Sequence, residues 1–358
     1  MYSRNKIIKN LILVVGILIV LIILLCSLGD ITKIWNIIIN NTKPWHLLLC
    51  LGVVLLYAFF NQLSLVMLVK HKYKDISFLD CYYISGSEFF FNAITPFSSG
   101  GQPFQAYALK RKNVKLSDST SCLLLNFLAY QIVLNLFCAI CIILYYNRLK
   151  AQVDNIVWLV IVGFSINLLV MILIVLIGTT KFMGKLLSKL MDLLCKIKFI
   201  NKFIGNKKES FDTYVIEMQE AFREINRSKL LWLGCVITKV ISLFLYYCIP
   251  YFAFTCIGIN LGIDNLFYVI AITSFSLTVT IWLPTPGSSG GAELAFTTFF
   301  TGLINADDKK NLALSGMLIW RFFTYYLLIF YGFLMYVLFE RGNKDENRSV
   351  YWSILSFN

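Results

Sequence analysis

Thr285-Pro286-Gly287-Ser288-Ser289-Gly290-Gly291 sits between the apolar segments Ile281-Trp282-Leu283 and Leu294-Ala295-Phe296. Almost the same string occurs much earlier, as Thr95-Pro96-Phe97-Ser98-Ser99-Gly100-Gly101, with Phe97 in place of Gly287. A near-match over seven residues points to an internally duplicated chain. Both strings resist a helix: proline removes a donor and clashes with the preceding turn, and each glycine costs roughly 1 kcal/mol relative to alanine. Pro96, Pro103, Pro284 and Pro286, four of the six prolines, lie in or beside the strings. Helix breakers concentrated twice within apolar sequence mark discontinuous helices of membrane transport proteins.

The surrounding composition fits. Of 358 residues, 58% are hydrophobic and 14% charged, and mean hydropathy is +0.74, too apolar for a water-soluble globule. The expected fold is an all-α integral membrane protein with about six spanning helices and two re-entrant hairpins in an inverted repeat. The expected spans are Leu11 to Leu28, Trp45 to Val69, Ser119 to Tyr146, Ile156 to Gly178, Leu230 to Ile257 and Leu312 to Phe339. The hairpins cover 78–109 and 266–304, each broken at its string. Lysine-rich, amphipathic sequence at 181–228 reads as helices on the inner leaflet, or as a solvated connector packed on the protein. Residues 1–348 form the membrane domain and 349–358 a tail.

Charge placement sets the orientation. On this topology 24 of the 32 Lys and Arg fall in inside loops and six in outside loops, with Lys239 and Arg321 in membrane segments. The bias puts both termini in the cytoplasm of a bacterial-type plasma membrane. It explains the net charge of +13 by membrane orientation, with attraction to anionic lipid as a secondary effect, and argues against a nucleic-acid partner. Basic sequence flanks the first hairpin, whereas the returning arm from Ala292 to Ile304 is too short to cross a core near 30 Å. One hairpin therefore enters from inside and its copy from outside.

A helix restarting after Gly-Gly has unpartnered N–H groups and the positive end of its dipole, which suit an anion. The candidate substrate site comprises Thr95, Ser98, Ser99, Gly100, Gly101 and Gln102 from the first string. From the second it takes Thr285, Ser288, Ser289, Gly290, Gly291 and Glu293, with Arg321 added from the last helix. The competing reading is that the strings only break the helix. Glu88, Glu293, Lys239 and Arg321 are intramembrane charges, which ordinarily face a polar interior in pairs. Arg321 is the expected partner of Glu293, and Glu293 is the expected reader of a lipid amine. Glu293 can also act as a simple cap, and Lys239 can snorkel to the interface. The ten cysteines, including the lone Cys138/Cys141 pair, and only two histidines give no metal-site spacing, so no catalytic residue, metal or cofactor is expected.

Ser98-Ser99-Gly100-Gly101-Gln102-Pro103, Tyr130-Gln131, the run from Pro284 to Glu293 and Trp320-Arg321 together resemble the lysylphosphatidylglycerol synthase transmembrane (flippase-domain) family. The resemblance covers nearly the whole chain. It implies translocation of a phospholipid, such as lysyl-phosphatidylglycerol or another anionic lipid, between leaflets, and a link to cationic antimicrobial peptide resistance. Full-length members add an aminoacyl-transferase domain, for which the residues after Phe339 leave no room. The rival readings are a phosphatidylglycerol lysyltransferase, alone or as half of a split enzyme, and a non-transporting envelope scaffold. Phospholipids are the expected partners, with a separate synthase subunit and an oligomer left open. Many relatives carry Glu and Arg where this chain has Gln102 and Gln105, so a charged interaction in the first hairpin is expected to be missing.

Overall fold

The computed structural model describes residues 30–153, 157–195, 208–283, 285–304 and 306–355. The expected first span, Leu11 to Leu28, and residues 196–207 of the amphipathic region lie outside the described residues.

A short helix that the sequence reading leaves as a loop opens the described chain: α1, Ile31–Asn41. Asp30 caps it, its side chain accepting from Thr32 N at 3.0 Å and Lys33 N at 3.2 Å. Next is α2, Pro44–Lys72, with proline in its first turn and Lys70, His71 and Lys72 in its last, the placements that helix ends favour. The first hairpin consists of α3 (Phe78–Gly86), α4 (Glu88–Ala93), a tight turn at Pro96–Ser98 and α5 (Gly101–Arg111). Two long helices follow, α6 (Leu116–Val153) and α7 (Val157–Thr179). Then come α8 (Lys181–Cys195), α9 (Lys208–Asn226) and α10 (Lys229–Cys256).

The second hairpin is α11 (Leu266–Thr280), a turn at Pro286–Ser288 and α12 (Gly291–Thr301). Last comes α13 (Lys309–Arg321), one π-turn at Phe322–Tyr326 and α14 (Leu327–Leu355). This final helix runs beyond the expected end at Phe339, through residues rich in Lys, Glu and Arg that favour helix.

Six stretches among the described residues are long and apolar enough to cross a membrane: α2, α6, α7, α10, Ile263–Thr280 and Lys309–Asn343. Five coincide with expected spans, and the other is the entering arm of the second hairpin. The protein is an all-helical, multi-pass membrane protein. Its outer surface carries the side chains that lipid requires: Ile143, Leu144 and Trp158 are exposed, and α7 is apolar nearly all round.

Packing sorts the connections into two sets, one at each end of the bundle. At the end reached by Lys72, ion pairs join Lys72 to Asp118 (3.1 Å) and Glu224 (2.8 Å), Lys112 to Asp80 (3.0 Å), and Lys115 to Glu217 (2.7 Å). Arg111 pairs with Glu340 at the same end. At the other end of α2, Lys43 N donates to Cys256 O at 3.2 Å. Asp30 N donates to Asn311 Oδ1 at 3.1 Å, and Arg148 Nη2 to Asn265 Oδ1 at 2.8 Å. The first hairpin thus begins and finishes at the Lys72 end, and the second at the Lys43 end. Each folds back on itself, α4 against α5 and α11 against α12, and the two turns touch in the interior. Around them α2 packs along α10, α14 covers α3 and α4, and α13 packs on α10 and α12.

Candidate functional site

The two turns have the same backbone shape. Phe97 (φ 55°, ψ 18°) and Gly287 (φ 59°, ψ 23°) occupy corresponding left-handed positions. Ser98 (φ 49°) and Ser288 (φ 55°) follow suit. Two consecutive left-handed residues reverse the chain, and non-glycine residues there store strain of the kind that collects at functional sites. Duplication of the string is therefore duplication of a three-dimensional device.

The mismatch within the repeat also has a steric cause. A Cβ built on Gly287 would lie 2.1 Å from Cε2 of Tyr325, so no larger residue fits beneath that ring. Phe97 has no such constraint and is exposed. Tyr325 also donates its hydroxyl to Ala93 O at 3.1 Å, which ties the π-turn to the end of α4. A π-turn is a common local device at functional sites, and here it follows directly on Arg321.

Arg321 and Glu293 meet, as the sequence reading expects. Arg321 Nε stands 2.8 Å from Glu293 Oε1, and both side chains are buried, at 5% and 2% exposure. The contact is an ion pair with poor hydrogen-bond alignment. Glu293 Oε2 accepts from Gly290 N at 2.7 Å, and Arg321 Nη1 donates to Gly287 O at 3.3 Å. Arg321 Nη2 has no protein partner. Aromatic stacking fixes the pair: Phe296 of α12 lies 4.7 Å from Trp320 and 4.1 Å from Phe300, and Phe300 lies 5.1 Å from Phe254 of α10. Rings from three helices thus hold the first turn of α12 against the end of α13.

A cavity of about 210 Å³ opens where the turns meet. Ser98, Gly287, Ser288 and Arg321 line it, together with Ala292 and Asn92. The remaining wall includes Tyr57, Phe89, Tyr130, Tyr246 and Tyr325. Glu293 is not part of the lining: it stands behind Arg321, bonded to Gly290 N. Of the other expected site residues, Thr95 accepts from Gly100 N at 2.8 Å and donates to Phe91 O at 2.8 Å. Gly101 N donates to Asn92 Oδ1 at 2.8 Å. Ser99 donates to Pro96 O at 2.9 Å, and Thr285 to Ser289 O at 2.9 Å. Gln102 is exposed, and Ser289, Gly290 and Gly291 are half-buried. The amides of Gly100, Gly101 and Gly290 are thus already engaged by side chains, and the cation in the cavity lining is Arg321.

The other two intramembrane charges form a separate chain of contacts. Lys239 is 2% exposed, so it does not snorkel. Its Nζ donates to Asn61 O (3.0 Å) and Asn61 Oδ1 (2.9 Å), and Asn61 Nδ2 donates to Glu88 Oε1 (3.3 Å). Gln105 Nε2 completes the chain, donating to Glu88 Oε2 at 2.9 Å. The neutral Gln105 thus supports the carboxylate of the first hairpin with a hydrogen bond.

The aromatic wall and Asn92 escaped the sequence reading. Their signal was hydroxyls and an amide inside apolar runs: Tyr246-Tyr247, Tyr325-Tyr326, and Asn92 after Phe89-Phe90-Phe91.

Residues 11–332 match the family described as "Lysylphosphatidylglycerol synthase TM region". The chain belongs to that family. It is also similar to the "Uncharacterized protein MG306 homolog" of Mycoplasma pneumoniae, at 22% identity over 91% of this chain and 87% of that protein. No solved structure matches. Membership of the family points to a membrane role connected with lipid.

Proposed function

We propose that the protein translocates a phospholipid, lysyl-phosphatidylglycerol or another lipid-linked anion, between the leaflets of a bacterial-type plasma membrane. The observation that carries this reading is the meeting of the two turns on a cavity lined by a buried arginine, Arg321. A buried arginine donor matches a phosphate. In this reading the hairpins are re-entrant, the first from the cytoplasmic face and the second from the outer face. Both termini are cytoplasmic, and α8 and α9 lie on the inner leaflet. Hairpins of opposite entry that converge on one midplane site suit alternating access. Glu293 accepts from Gly290 N and pairs with Arg321, and a lipid amine that competes with Arg321 would meet its carboxylate there.

Purified protein in vesicles should accelerate the transbilayer movement of phosphatidylglycerol or its lysylated form. An unchanged rate for both lipids favours the scaffold reading. Cysteine-accessibility labelling should place Lys110–Lys115 inside and Asp307–Lys310 outside. Finding both loops on one face ends the inverted-repeat argument.

A further inference from the structure

The cavity is chemically mixed. Its lining includes Arg321 and the turn residues Ser98 and Ser288. It also includes four rings: Tyr57, Phe89, Tyr130 and Tyr246. Tyr57 is their hub, with centroids 5.8 Å from Phe89 and 4.9 Å from Tyr246, at interplanar angles of 57° and 55°. Rings tilted in this way frame a corner instead of forming a flat stack.

Ring faces attract a cation within about 6 Å, more strongly where water is excluded. Among the described residues no protein cation stacks on these four rings. Arg321 stacks instead on Trp320 (5.0 Å) and Tyr325 (5.4 Å), and Lys239 is held by Asn61.

Both cations are balanced. Glu293 neutralises Arg321 directly, and Lys239 faces Glu88 through Asn61. A formally neutral cavity favours a ligand that is itself neutral overall, because an unbalanced charge pays a desolvation cost that nothing in the wall returns.

We propose that the ring wall is an ammonium subsite and that the cavity selects a zwitterionic phosphodiester head group. Its phosphate sits on Arg321 and its single ammonium in the corner made by Tyr57, Phe89, Tyr130 and Tyr246. The proposal rests on the anion-site reading given under Proposed function. It adds a preference: one ammonium per phosphate, over plain phosphatidylglycerol and over a head group with two ammonium groups.

The test is calorimetric titration of the full-length protein in detergent with three short-chain lipids: phosphatidylcholine, phosphatidylglycerol and lysyl-phosphatidylglycerol. A fourth titration uses water-soluble glycerophosphocholine. Phosphatidylcholine should bind about tenfold more tightly than either other lipid, the scale of one desolvated cation–ring contact. Tyr57→Leu should reduce that preference to below about twofold, and a cooperative thermal unfolding transition shows that the variant is folded. Tyr57→Phe keeps the ring face and should restore the preference. Glycerophosphocholine separates the sources. Binding as tight as the lipid's assigns the subsite to a soluble phosphodiester, and much weaker binding assigns it to the membrane lipid, and the ring corner stands in either case. Equal binding of phosphatidylcholine and phosphatidylglycerol by the unmodified protein, or a preference that survives Tyr57→Leu, overturns the ammonium subsite alone. No binding of any of the three lipids overturns the lipid reading itself.

Discussion

The two helix breaks are one device built twice and finished differently. Both reverse the chain through a left-handed pair, Phe97-Ser98 and Gly287-Ser288. Their restarting helices are then capped by different chemistry. In the first, Thr95 and Asn92 accept from the amides of Gly100 and Gly101. In the second, Glu293 accepts from Gly290 N, and Thr285, the counterpart of Thr95, turns away to Ser289 O. Pro103 occupies the position in the first string that Glu293 holds in the second. The lesson is that duplication preserved the fold-back and freed the caps to diverge. One break is capped by neutral groups and the other by a carboxylate that pairs with Arg321, the arginine of the cavity lining.

The sharpest way to break the comparison is to remove charge from each hairpin in turn. Arg321→Leu leaves Glu293 buried without its cation, a change that costs about 3–5 kcal/mol in buried pairs. Thermal unfolding of the purified protein should show a large loss, and vesicle transport should vanish. Glu88→Gln removes a carboxylate whose direct partners are the amides of Asn61 and Gln105. Its cost should be nearer the ~1.5–3 kcal/mol of hydrogen bonds to a charged group. Similar losses from the two substitutions would show that the hairpins are energetically alike and that the asymmetry drawn here is superficial.

Gly287→Ala tests the steric half of the difference. The new Cβ meets the Tyr325 ring and stands in a left-handed conformation, so a loss of about 1–3 kcal/mol is expected. Gly287→Ala combined with Tyr325→Leu should recover part of that loss, and the coupling is read from the double-mutant cycle. Additive effects would remove Tyr325 as the reason for glycine at this position.

Much of this was legible in the sequence, because the deciding signals were local or periodic. The repeated string gave both fold-backs, apolar runs gave five of the six long stretches, and two isolated charges in apolar helices gave the Glu293–Arg321 pair. What stayed hidden depended on the third dimension. Nothing near Thr95 announces that its hydroxyl, and not a ligand, takes the Gly100 amide. The snorkelling open to Lys239 fails because Asn61, on α2, takes up its ammonium group, a partner 178 positions away. The α1 helix was missed because its 11 residues are short for an isolated helix. The ring wall was missed because tyrosines in apolar helices look like ordinary core until four elements bring them to one cavity.

Smaller effects sharpen the capping contrast. Thr95→Ala orphans the Gly100 amide inside the protein and should cost about 1 kcal/mol, as lost caps do. Thr285→Ala touches an exposed residue whose bond is to a nearby carbonyl, and it should change unfolding by less than about 0.5 kcal/mol. Equal costs in the same unfolding assay would mean that the two threonines still serve one purpose.

The smallest effect is the most informative about why the copies differ. Phe97 holds a conformation that costs an L residue roughly 1–2 kcal/mol. Phe97→Gly relieves that strain, but glycine adds unfolded-state freedom worth about 0.5–1 kcal/mol. The ring is 57% exposed, so little packing is lost with it. The terms nearly cancel, and stability should move by less than about 1 kcal/mol in either direction. The reciprocal change, Gly287→Phe, drives a side chain into Tyr325 and should prevent folding. If stability alone governs these positions, Phe97→Gly is silent in transport as well. Phe97 precedes Ser98, which lines the cavity, so the expected outcome is different: stability holds while the transport rate falls, because a glycine lets the turn wander and Ser98 leaves its place. Transport at the original rate would reduce Phe97 to a strained passenger of the duplication.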